Sequence, residues 1–275
     1  MRADLWRIPL AGALAAACLG GPAPSTTPDV PGDPDSAILR FERLNGLVPA
    51  WQPLVWYPLV SVYADGRIIE HVPAAYPGPA LPELTVVRVD GDGLAQILEL
   101  AAELGLEGPD RELGQSIPDG GVMIFTVVRG DERHQTRVLG PDPDPGRTPL
   151  LHALVEFGDA LADPASWLGD DITADEKPYA WRRMRLVVVP VNPADLPDPR
   201  LVTMRDWAGD PLATLGDGVD EAHGARCALV EGAELARLRS EFDTADELTV
   251  WLSDEQTYQL HPRPLLPDET ACPSI

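Results

Sequence analysis

The chain has 275 residues, 44% of them hydrophobic, and its 44 acidic against 21 basic side chains give a formal net charge of -23. That hydrophobic fraction supports a packed core and excludes wholesale disorder, and the length allows one large domain or two small ones. So acidic a surface repels phosphate backbones and anionic headgroups, which argues against nucleic-acid binding and against membrane attachment through a basic patch.

Arg2 and Arg7 precede a short apolar run over residues 8–17, and small residues lead from it into Cys18. This is a signal-peptide layout, and the run is too short to cross a bilayer, which needs roughly 20 apolar residues. The tetrapeptide before Cys18 resembles the lipobox of bacterial lipoproteins, in which the cysteine becomes the lipid-modified first residue. Leu14 sits one place further upstream than in the commonest arrangement, which leaves cleavage by the ordinary secretion peptidase as the alternative. Residues 1–18 are thus expected to be a leader. Residues 19–36, rich in Pro, Gly, Ser and Thr without apolar periodicity, are expected to be a flexible tether.

Cysteine parity bears on the same expectation. Three cysteines leave an odd thiol in an exported protein. With Cys18 lipidated, Cys227 and Cys272 remain to form one disulfide, against the alternative of two free buried thiols.

Residues 37–43 read as a strand before the turn at Asn45-Gly46, and residues 59–64 as another. Leu59, Ser61 and Tyr63 share one face of that second strand, and Val60 and Val62 the other. Asp65-Gly66 predicts a two-residue hairpin turn into residues 67–72. A proline-rich connection, residues 73–82, leads to a strand over residues 84–89. Over residues 91–105 the period changes, and Leu94, Ile97, Leu98, Ala101 and Leu104 line one face of a helix. A hairpin follows at residues 122–129 and 134–139. Thr148-Pro149 then predicts a helix start, with Leu150, Leu154, Phe157 and Leu161 as its buried stripe.

The acidic stretch 163–178 reads as a linker, dividing an N-terminal unit, residues 37–168, from a C-terminal unit, residues 179–275. In the latter, residues 185–189 form a strand, residues 190–224 are mostly loop, residues 227–230 are a strand and residues 231–242 a helix. Residues 248–252 and 256–261 close with a hairpin. Pro262, Pro264 and Pro267 are expected to take the tail out of any central sheet.

The expected fold is α+β, antiparallel sheets with packed helices in strand-helix-hairpin units. Val89-Asp90-Gly91 with Leu94 and Ile97 matches Val230-Glu231-Gly232 with Leu235 and Leu238, so the units are either related copies or chance matches of short patterns.

Catalytic patterns are missing: no G-x-S-x-G elbow, H-E-x-x-H, C-x-x-C or Gly-rich phosphate loop occurs. His71, His134, His152, His223 and His261 are scattered without metal-ligand spacing and read as surface residues. Asp90 with Asp92, Asp142 with Asp144, Asp170 with Asp171, and Asp217 with Asp220 supply oxygen ligands in loops, but none has the EF-hand pattern. Asp90 also opens a helix, where acid suits the dipole without any metal. No cofactor or metal is expected. Trp51, Trp56 and Tyr57, set between prolines, are the ligand-like aromatic surface, able to stack on a sugar or grip a peptide; buried, they would cover one end of a sheet.

The GARCALVEG, LTVWLSDEQTYQL and RPLLPDETAC segments and the ADGRIIE hairpin resemble those of bacterial lipoproteins of uncharacterised function. The resemblance implies export, membrane anchoring and a paired Cys227 and Cys272, and carries no activity. The expected function is therefore a lipid-anchored extracytoplasmic binding module on the outer face of the cytoplasmic membrane, with an unknown protein, peptide or glycan partner. The alternative is a hydrolase with a non-local active site.

Overall fold

The computed structural model describes residues 32–44, 48–117, 120–140, 149–196, 198–270 and 272. Cys18, the Asn45-Gly46 turn, Asp142, Asp144 and Thr148 lie outside them. The described residues form a mixed α/β protein with two mostly antiparallel sheets and four α-helices.

The first sheet holds β1 (Ala37–Leu44), β2 (Val60–Tyr63), β3 (Arg67–Val72), β4 (Glu83–Val89), β5 (Arg111–Gly114), β6 (Val122–Arg129), β7 (Glu132–Leu139) and β8 (Ile172–Pro178). Their order is β5-β7-β6-β1-β2-β3-β4-β8, with only the short β5 parallel to its neighbour. Strand alternation sends Phe41, Val62, Phe125 and Val127 to one face. There α1 (Gly91–Glu103) packs Ile97, Leu98 and Ala101, and α2 (Pro149–Leu161) packs Leu151, Leu154 and Phe157. Asp90 caps α1 by accepting from the Asp92 and Gly93 amides at 3.0 and 2.9 Å, a role that needs no metal. The close seating of α2 depends on Gly158, where a Cβ would stand 2.5 Å from the Phe41 ring.

The second sheet contains β9 (Arg183–Pro190), β10 (Thr203–Asp206), β11 (Asp217–Asp220), β12 (Ala225–Glu231), β13 (Thr249–Ser253) and β14 (Gln256–Pro264), in the order β10-β13-β14-β9-β12-β11. On its outer face α4 (Gly232–Phe242) buries Leu235, Leu238 and Phe242 against Leu186, Val188 and Trp251. The chain runs β4, α1, β5 and the β6-β7 hairpin in the first sheet and β12, α4 and the β13-β14 hairpin in the second, and the two hairpins sit differently. After α1 the first hairpin strand, β6, lies inward beside β1, whereas after α4 the second, β14, lies inward beside β9.

Several expectations change. The stretch read as an acidic linker is ordered as α3 (Ala165–Leu168), a 3-10 turn and β8, because residues beside an edge strand gain ladder hydrogen bonds whatever their charge. Within residues 190–224, β10 and β11 add edge strands too short for a periodic signal. Leu150 is exposed and Leu151 takes its place in the α2 stripe. At Asp65-Gly66 only Gly66 has positive φ, and its amide bonds to the Tyr63 carbonyl at 3.0 Å, so the turn holds three residues rather than two. Pro262 and Pro264 do join the sheet, paired with Leu186 and Met184. They can because the neighbouring Leu265 amide, one register step away, is the one that bonds β9, at Arg183. The prolines face the side that β13 leaves uncovered beyond Gln259.

Reciprocal arms join the two sheets. Residues 48–57 reach from the first unit onto the inner face of the second sheet, where Leu54 packs with Val187, Val189 and Cys227. Arg185 donates to the Leu54 carbonyl at 2.7 Å and Arg263 to that of Trp56 at 2.8 Å. In return residues 265–269 lie on the first sheet: Leu266 packs with Tyr63, Ile69 and Leu84, while Asp268 accepts from Arg40 at 2.6 Å and from the Tyr63 hydroxyl at 3.1 Å. The proline-rich connection also crosses, with the Ala80 amide on the Ala245 carbonyl at 3.0 Å. A disulfide joins Cys227 to Cys272 and pins the tail beyond the crossing.

Candidate functional site

Where the arms cross, the chain leaves a cleft of about 550 Å³. Its lining comes from the 55–59 segment, the end of β3, the proline-rich connection and the free edge of β14. Pro73, Pro79, Pro82 and Pro262 stiffen the walls and bring no N–H groups to them. Arg43 and Glu247 also line it, and each is already engaged: Arg43 pairs with Asp159, and Glu247 accepts from the Gly78 amide at 3.2 Å.

The aromatic groups divide into paired rings and one ring, Trp56, without a ring partner among the described residues. Tyr57 is wedged between the His71 ring, with centroids 5.1 Å apart, and the Arg263 guanidinium, 4.4 Å from its ring centre. Its hydroxyl donates to the Pro264 carbonyl at 2.8 Å, and burial raises its pKa. Trp51 packs against His261 with ring centres 4.7 Å apart and planes tilted by 30°, behind the cleft lining. Trp56 also lines the cleft, and among the described residues its ring stacks on no other.

Arg263 holds this arrangement together. It forms two hydrogen bonds to the Glu269 carboxylate, at 2.5 and 2.6 Å, and Glu269 also accepts from the Leu266 amide at 3.0 Å. Burial works to raise the Glu269 pKa, but the hydrogen bond and charge of Arg263 outweigh it and leave the carboxyl below its ordinary value.

Two histidines line the cleft, which the sequence placed on the surface. Burial pushes His261 down to about 4, so its imidazole is neutral at pH 7. Its Nε2 is buried and has no hydrogen-bond partner. His71 is also lowered, by burial first and then by the charge of Arg263. Neither histidine bonds a serine or carboxylate among the described residues. Ser61, on the same face of the first sheet, is wholly buried with an unpartnered hydroxyl and, unlike His261, does not line the cleft. The other three histidines pair locally with acids: His134 with Glu132, His152 with Glu156, and His223 with Asp220.

Of the predicted aromatic trio, the structure brings Trp56 and Tyr57 into the cleft and sets Trp51 behind it. The histidines and prolines were missed because they converge from chain positions almost 200 residues apart. The one local hint was alternation, which puts His261 on the inward face with Arg263. Among the described residues no group of three or more His, Cys, Asp or Glu is placed to hold a metal ion. Trp56 brings an aromatic ring to the cleft wall, and the neutral His261 brings an imidazole whose Nε2 is buried there.

The chain matches no family model, no curated protein and no solved structure. The site's chemistry therefore carries the functional reading.

Proposed function

We propose that this is an exported binding module that holds a neutral, hydroxyl-rich ligand, a short oligosaccharide, in the cleft between its two sheets. The observation that carries the reading is the pairing of an unstacked Trp56 with the buried, unpartnered Nε2 of a neutral His261 in one cleft. A sugar offers an apolar face to tryptophan and hydroxyls that both donate and accept, so it suits either imidazole tautomer. An extended peptide fits less well, since strand addition needs main-chain partners and Pro262 supplies no amide on the β14 edge. Anionic ligands would meet the repulsion of a strongly acidic chain.

In this reading the leader is removed, Cys18 carries the acyl anchor, and a tether that ends where Arg67 bonds the Pro34 carbonyl and Asp35 holds the folded body off the outer face of the cytoplasmic membrane. No helix among the described residues is long and apolar enough to cross a membrane, and the acyl chain supplies the attachment. The matching strand-helix starts at Val89 and Val230 support a common origin for that part of the two units, while the different placing of the hairpins limits the kinship to it.

Calorimetric titration with a panel of short neutral oligosaccharides tests the reading. Binding by the parent chain, lost in Trp56→Ala and weakened at least tenfold in His261→Phe, is expected. Release of shortened sugars during the titration would favour the hydrolase alternative, and no binding across the panel would remove the saccharide reading.

A further inference from the structure

We propose that the groove between α1 and α2 is a second binding site, separate from the cleft, and that its ligand is a compact amphiphilic cation: an apolar body carrying a fixed positive charge. The groove encloses about 750 Å³, within the range of small-molecule sites. Leu100 of α1, Leu104 just beyond its end, Phe157 of α2 and Trp167 give it an apolar lining, and the turn after α2 forms its third side. Trp167 is fixed there by its Nε1, which donates to the Ala160 carbonyl at 2.8 Å.

Carboxylates surround this apolar surface: Glu103 from α1, Glu156 and Asp159 from α2, and Asp163 just beyond it. No lysine or arginine lines the groove. Asp159 is paired with Arg43 and Glu156 sits 3.1 Å from His152, but Glu103 and Asp163 have no cationic partner among the described residues. Asp163 also borders a neighbouring hollow that contains Glu70, Asp175 and Glu176. Crowding of like charge is evident there, for Glu70 is pushed up to about 7, by burial first and then by Glu176 and Asp163. A neutral apolar molecule would leave that repulsion in place and an anion would add to it. A cation with an apolar body covers the hydrophobic lining and offsets the charge at once.

The test uses two ions of the same shape and opposite sign, tetraphenylphosphonium and tetraphenylborate, titrated calorimetrically into the full chain. The proposal expects one phosphonium ion bound per chain and no uptake of the borate. Ala153→Trp, which fills the groove, should abolish binding, and Glu103→Gln with Asp163→Asn should weaken it about threefold or more. Trp56→Ala should leave it unchanged. Melting temperatures of the variants show whether each has folded, and the charge variant, altered only at exposed carboxylates, keeps the test open should Ala153→Trp fail. Equal binding of both ions, loss of binding in Trp56→Ala, or affinity indifferent to both groove variants would overturn the proposal. So would capture of a basic amphipathic helix in the absence of phosphonium binding.

Discussion

His261 shows how one buried group ties the cleft to pH. Its folded-state pKa, about 4, lies below the ordinary 6.5, so between those values the unfolded chain takes up a proton that the folded one refuses. The stability this contributes is complete above about pH 6.5 and is lost as pH falls towards 4, a change of about 3 kcal/mol. Glu70 works the opposite way over a similar range, because its raised pKa favours folding at lower pH. The difference between parent and His261→Phe isolates the histidine. Urea midpoints at pH 7 and pH 4.5 should show the parent losing stability relative to the variant. Glu269 has a separate window: its lowered pKa adds stability above about 4.5 that is lost as pH falls further. Glu269→Gln leaves the buried Arg263 without its counter-charge and should cost about 3 kcal/mol in denaturant unfolding at pH 7.

Strands and helices with strong periodicity were legible in the sequence, and turns were less so. Alternating Val60 and Val62 against Tyr63, and the spacing of Leu235, Leu238 and Phe242, name the buried faces because burial alone decides them. Turn type depends on backbone angles that similar residue pairs satisfy in different ways. Asp-Gly at 65–66, the strongest two-residue signal, makes a three-residue turn, while Asp254-Glu255, with no glycine, makes the two-residue turn between β13 and β14. Both of those residues have positive φ, 49° and 65°, where side chains cost roughly 1 kcal/mol each. Glu255→Gly should therefore stabilise the protein, by about 0.5 kcal/mol once glycine's greater freedom in the unfolded chain is counted. Thermal unfolding of the variant checks the sign. Pro262 and Pro264 were placed outside the sheet on a sound rule, but which side of a strand a proline faces depends on register, and register is a tertiary property.

At the scale of the whole molecule, crossing arms make the cleft, and no local pattern encodes a crossing. Residues 48–57 looked aromatic and broken, the proline-rich connection looked like a loop, and the tail looked like a cover. Only their meeting places Trp56 near His261. The disulfide was legible from cysteine parity, and it secures the tail that carries Glu269 across to the first sheet. With its cysteines 45 positions apart, it stabilises the fold by about 4 kcal/mol in the chain-entropy model. Cys227→Ala with Cys272→Ala should lower the unfolding free energy by about that much, and should speed amide exchange at Leu266 more than at Leu154 in the helical core. The binding claim is tested most directly by the amide spectrum of the isotope-labelled protein titrated with a short neutral oligosaccharide that it binds. The account predicts shifts concentrated at Trp56, His71 and His261, with the sugar recovered intact. Shifts centred elsewhere, or a cleaved sugar, would contradict it.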